Sequence, residues 1–101
     1  MPFIVRWPGK VPAGRVDDTS VMAGVDLLPT LAKLSGVSIP ATHALDGEDR
    51  SAVLLGQTSA RTKPLFWEWR FAIAGDIFHH SPMLAIRDGD WKRLLNPTAV
   101  A

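Results

Sequence analysis

The chain of 101 residues contains no cysteine, which excludes disulfides, thiolate metal ligands and a cysteine nucleophile together. It has no apolar run approaching the ~20 residues that a bilayer-spanning helix needs, so no membrane partner is expected. It also lacks any block of one charge. Eleven basic and ten acidic side chains lie scattered along it, for a net charge of +1. Without a Lys/Arg cluster to neutralise a row of phosphates, nucleic acid is not an expected partner either. Residues 2–6 lack the charged-then-apolar layout of a secretory leader. The single Asn-x-Thr match, Asn96-Pro97-Thr98, carries proline in the middle and is a poor glycosylation acceptor.

What is present reads as an ordinary small globule. Hydrophobic residues make up 47% and charged residues 21% of the chain. Its length suits a single small domain, 1–101, with little stability to spare. Phe3-Ile4-Val5-Arg6-Trp7, closed by Pro8-Gly9, is a short apolar run that suits a strand buried on both faces of a larger sheet. No element before it is available to cover it. The spacing of Leu27, Leu28, Leu31 and Leu34 predicts a helix from Asp26 to Gly36 with one buried leucine stripe. Asp26 is expected as its N-cap, Pro29 falls in the first turn, and Gly36 stands where a left-handed cap belongs.

Residues 37–50 read as a polar loop with the turn pair Asp46-Gly47. A short helical turn, 51–55, ends at Gly56, and 57–63 is linker-like. Leu65-Phe66-Trp67-Glu68-Trp69-Arg70-Phe71 alternates as a strand, with Trp67, Trp69 and Phe71 on one side and Phe66, Glu68 and Arg70 on the other. Residues 72–82 are irregular. Residues 83–95 predict a hairpin turning at Asp88-Gly89, which sets Ile86 opposite Trp91, Leu84 opposite Arg93 and Arg87 opposite Asp90. The expected class is α+β: a small antiparallel sheet, made of the hairpin and the Trp-rich strand, packed against one main helix, with residues 1–9 an orphaned strand of a larger α/β sheet.

The order of five blocks is specific: residues 2–10 (Pro-Phe-Ile-Val-Arg-Trp-Pro-Gly-Lys); Val25-Asp26-Leu27-Leu28-Pro29-Thr30-Leu31 with Leu34-Ser35-Gly36; Leu45-Asp46-Gly47; Pro64-Leu65-Phe66-Trp67-Glu68; and Ala85-Ile86-Arg87-Asp88-Gly89-Asp90-Trp91-Lys92. Together they resemble the C-terminal portion of the type I sulfatases, of the arylsulfatase and N-acetylgalactosamine-6-sulfatase kind. The resemblance implies an alkaline-phosphatase-like parent fold in which residues 1–9 are the last strand of the large domain and 20–101 form the C-terminal subdomain. It also implies a parent chemistry of sulfate-ester hydrolysis. That chemistry uses a formylglycine, made from Cys or Ser in Cys/Ser-x-Pro-x-Arg, a calcium ion held by Asp and Asn, and a Lys/His set facing the sulfate. None of these carries over. Ser38-Ile39-Pro40-Ala41-Thr42 lacks the arginine, and the calcium ligands and catalytic lysine lie upstream of Met1 in the family. The expectation is therefore a truncated reading frame or gene fragment: no catalytic residue, no metal ligand, no cofactor of its own, and no turnover.

Each remaining candidate has a plainer reading beside it. In the parent context His79, His80 and Arg70 are candidates for touching a sulfated substrate, although solvated loop histidines are the simpler reading. Adjacent histidines on a strand point to opposite faces and cannot share one metal. Trp67 and Trp69, with Glu68, suit a carbohydrate-binding platform, yet their alternation with Leu65 and Phe71 favours core packing, as does Trp91 opposite Ile86. Asp46, Glu48 and Asp49 lack the spacing of a calcium loop and read as turn and cap residues. The uncovered Phe3–Trp7 strand and the apolar Trp face favour, as the alternative to a sulfatase remnant, an interaction module that pairs with a second copy.

Overall fold

A computed structural model describes residues 2–69 and 83–95. The chain divides into two compact units, Met1–Thr62 and Lys63–Ala101. The class is α+β: a 3-10 turn at Gly24–Asp26, helices α1 (Leu27–Ser35) and α2 (Ser51–Leu54), and strands β1 (Leu65–Glu68), β2 (Leu84–Asp88) and β3 (Trp91–Leu95). The three strands form one antiparallel sheet in the order β1-β2-β3.

In the first unit, α1 stops where the sequence says it should. Gly36 adopts φ 73°, open to a residue without Cβ, and two bonds close the last turn: Gly36 N–H to Lys33 O (3.3 Å) and Val37 N–H to Ala32 O (2.9 Å). Its start differs. Asp26 is itself helical, and its carboxylate caps no first-turn amide. It turns back to the Ala23 N–H and across to the Glu48 N–H instead.

That choice also decides which face of α1 is buried. Asp26 and Thr30, one turn apart, are fully buried, and Leu34 is half-buried. Leu28 and Leu31 stay 60% and 55% exposed, so the expected leucine stripe is not the docking face. The helix presents to the 47–61 loop the side that can hydrogen-bond it, and the leucines rotate away. Phe3–Trp7 forms no ladder in this structure, and Phe3 and Ile4 are exposed. The Trp7 carbonyl accepts from Lys10 and Val11 (3.1 and 2.9 Å) and turns the chain.

In the second unit, β1 pairs Leu65 with Arg87 and Trp67 with Ala85, while β2 pairs Arg87 with Lys92 and Asp88 with Trp91. The hairpin therefore turns at Gly89-Asp90, one residue later than Asp88-Gly89. Gly89 has φ 55°, and among the described residues no non-glycine has a positive φ. Only the first central position is left-handed, as in a II′ turn, whereas the expected I′ turn needs both. The shift sets Ile86 opposite Arg93 and Leu84 opposite Leu95. Trp91 is thus left 84% exposed across from Asp88, not packed on Ile86. Trp67 and Trp69 do share a face, but they are 46% and 51% exposed and do not form a closed core.

Candidate functional site

The densest polar constellation among the described residues surrounds the start of α1. Asp26 Oδ2 accepts from the Ala23 N–H (2.8 Å) and Oδ1 from the Glu48 N–H (2.9 Å). The Arg61 guanidinium grips both oxygens, Nη2 to Oδ1 at 2.8 Å and Nη1 to Oδ2, in the planar fork that arginine alone provides. One turn on, Thr30 Oγ1 accepts the Arg50 N–H (2.9 Å). The Arg50 side chain is buried as well. Its Nη1 reaches Glu48 Oε1 (3.1 Å) and the Ala60 carbonyl (2.9 Å), and Nη2 reaches the Ser59 carbonyl. Glu48 in turn accepts from the Thr62 N–H and, at 2.7 Å, from its hydroxyl. Two acids and two arginines thus fasten the 47–62 loop to α1.

Gly47 makes this closure sterically possible, because a Cβ there would sit 2.0 Å from the Val25 carbonyl oxygen. Burial pushes the Asp26 carboxyl pKa up. Hydrogen bonds from Arg61, Glu48 and Ala23, with the Arg61 charge, outweigh it and hold the group below its ordinary value. A buried acid with a shifted pKa is a reasonable candidate for chemistry. Here, however, both oxygens are already committed to four donors and Asp26 is fully buried. The cluster is a clasp, and its chemistry is structural.

A calcium site does not fit these residues. Among the described residues no three His, Asp or Glu side chains converge. The two acids of the clasp, buried Asp26 and half-buried Glu48, moreover each face an arginine that would repel a cation. Asp49, from the acidic cluster, accepts the Ser51 N–H (2.8 Å) at the start of α2, the cap duty its position suggests. Asp17 organises the preceding loop through the Ser20 and Thr19 N–H groups, which hold its pKa well below the carboxylate range.

A cavity of about 700 Å³ lies in the same unit between Phe3–Pro8, the Val11–Asp17 loop and Val53-Leu54. Its size suits a small ligand, but its walls are mostly apolar, and Arg15 is already paired with Asp17 at 3.0 Å. His79, His80 and Arg70 lie outside the described residues. Arg50, Arg61 and Thr30 were not picked out from the sequence. A signal was there, since Arg50 and Arg61 are the only arginines in residues 34–63 and Thr30 follows Asp26 at helical spacing.

No family model matches this sequence. Similarity to individual proteins is clear. Mouse (Mus musculus) arylsulfatase G is 38% identical over 66 residues, covering 65% of this chain and 12% of that protein. Human (Homo sapiens) arylsulfatase A is 38% identical over the same shares, and rat (Rattus norvegicus) steryl-sulfatase is 39% identical over 55% of this chain and 10% of its own length. The chain thus spans about a tenth of the relatives it matches. Over roughly two-thirds of its residues, the chain is similar to a portion of known sulfatases.

Proposed function

We propose that this chain is the non-catalytic C-terminal part of a sulfatase architecture and hydrolyses no sulfate ester by itself. The observation carrying this reading is the pairing of two facts: 38% identity confined to 12% of arylsulfatase G, and a sequence with no cysteine and no Ser-x-Pro-x-Arg from which a formylglycine could form. The polar clasp supports it from another side. Each of its acids faces an arginine, leaving neither poised to transfer a proton. The role that follows is mechanical, a pre-shaped element that leans on a larger body.

The test is direct. The purified chain, given a chromogenic aryl sulfate and calcium, should show no turnover above buffer. Hydrolysis that follows the chain through successive columns would overturn the reading.

One observation favours a second role, as an association module. Ile4 is 89% exposed, and Leu28 and Leu31 remain uncovered on α1. Apolar surface of this kind promotes self-association. Light scattering across a concentration series should show mass rising above 11.0 kDa. A constant monomer mass would refute that role.

A further inference from the structure

The chain carries two Asp-Gly pairs, Asp46-Gly47 and Asp88-Gly89, in opposite surroundings. In such a pair the glycine nitrogen and the aspartate carboxyl carbon are one bond short of a five-membered ring, and the glycine has no side chain to shield the approach. The two atoms meet only when the peptide between them can rotate out of its folded geometry. What holds that peptide therefore sets the reactivity of the pair.

Asp88-Gly89 stands at the tip of the β2–β3 hairpin. Asp88 and Trp91 form the last rung before the turn, and residues 88–91 are all exposed. Trp91, at 84% exposure, contributes little packing to hold that rung. The Asp88 carboxylate makes no hydrogen bond or ion pair among the described residues. Gly89 has φ 55°, and a Cβ built on it would meet nothing within 4 Å, so the peptide lies open to water. A terminal rung of this kind frays at almost no cost.

Asp46-Gly47 is locked by contrast. Gly47 is buried, and its Cα lies so close to the Val25 carbonyl that no Cβ would fit. The next amide, the Glu48 N–H, donates to Asp26 Oδ1 at 2.9 Å, and Arg61 Nη2 fixes the same oxygen at 2.8 Å. Rotating the 46–47 peptide would pull both groups away from the clasp.

We propose that Asp88 is a site of spontaneous isomerisation to isoaspartate, and that the clasp protects Asp46 from the same reaction. The Gly89 nitrogen attacks Cγ of the protonated carboxyl group and gives up its proton. A carboxyl oxygen leaves as water, and a succinimide ring closes. Water then adds to one of the two ring carbonyls and breaks its bond to nitrogen. Opening at Cγ restores aspartate. Opening at the backbone carbonyl leaves the chain running through Cβ and Cγ, with that carbonyl now a free carboxylate. One water is lost and one gained, so mass is unchanged and no oxidant is needed. The extra backbone carbon falls at residue 88, so the rung to Trp91 and the two-residue turn lose their register. The Leu65–Arg87 pair, on the β1 side of the change, keeps its own. The proposal stands apart from the sulfatase reading.

The full chain is incubated in heavy-oxygen water, in buffer acidic enough to supply protonated carboxyl groups yet leaving Asp26 ionised, with and without urea. Peptide mapping then locates uptake of heavy oxygen, and an isoaspartyl carboxyl methyltransferase labels the product. In the folded chain isoaspartate should accumulate at residue 88 at least tenfold faster than at 46. In urea, where neither peptide is held, the two rates should converge. Asp26→Asn, which loosens the clasp, should speed the reaction at 46 and leave 88 unchanged. Asp88→Glu, whose ring would need six members, should abolish the signal at 88 alone. Equal rates in the folded chain, faster reaction at 46, or no heavy oxygen at 88 while the chain in urea takes it up would each overturn the proposal. A ratio that persisted in urea would do so too, because sequence and not fold would then set it.

Discussion

The two units of this chain are held together in opposite ways. Around α1 the first unit is closed by buried charge: Asp26 is matched by Arg61, and Arg50 by Glu48 and two loop carbonyls with only its Nε unpartnered, while Val53 is the unit's sole buried hydrophobic among the described residues. The sheet of the second unit is held by its backbone ladder, with Leu65 the buried hydrophobic and large side chains such as Phe66 (69% exposed) and Trp91 left in solvent. A ladder tolerates changes to exposed side chains because its bonds are made by the backbone. A clasp of buried ions does not, because removing one partner strands the other without water. The same number of substitutions should therefore have unequal consequences in the two places.

The contrast is tested most severely at Asp26. Asp26→Ala leaves Arg61 buried without its carboxylate and should cost about 3–5 kcal/mol, read as a fall in the urea midpoint. A loss under ~1 kcal/mol would mean the clasp is not what closes this unit. Acid probes the same contact without mutation. The folded Asp26 carboxyl titrates below the ordinary carboxylate value, so its contribution is fully present above about pH 5 and lost as pH falls below about 4 through the folded value. Asp17 is lowered in the same direction. Comparing the pH dependence of stability in Asp26→Asn and Asp17→Asn separates the two, and each substitution should flatten the acid limb of the profile.

Thr30→Val keeps the shape of the side chain but removes the acceptor of the Arg50 N–H. The buried amide left unpaired should cost about 1–3 kcal/mol, measurable as faster hydrogen exchange at Arg50. In the sheet the effects shrink. Gly89→Ala forces a Cβ into a left-handed turn position and should cost about 1 kcal/mol, seen as increased fraying of β2 and β3 amides. Trp91→Ser, at an exposed hairpin position, should change thermal stability by less than about 0.5 kcal/mol. If Trp91→Ser proved as damaging as Thr30→Val, the comparison between the units would fail.

Much of the local structure was legible in the residues. Gly36 ends α1 because its neighbours close a left-handed cap there. Leu65–Glu68 alternates as a strand, and the hairpin was expected where it occurs. The errors share one cause. The turn was placed at Asp88-Gly89 because that pair favours an I′ turn. Pairing with β1 and the negative φ of Asp90 select the II′ turn one residue later, and every cross-strand partner moves with it. Asp26 has the chemistry of an N-cap, but Arg61, thirty-five residues on, competes for its carboxylate and wins with two charge-assisted bonds.

The amino-acid sequence by itself determined the kind of most elements, the C-terminal end of α1, the absence of a cysteine or formylglycine nucleophile, and the likeness to sulfatases. These depend on residue type and on contacts within a few positions, where backbone preference and capping are decided. Only the tertiary structure decided which face of α1 is buried, which register the hairpin takes and which charges meet. Those outcomes depend on competition between partners far apart in the chain. A hydrogen bond to a buried charge outweighs the pull of a leucine stripe only once the loop that supplies it has closed.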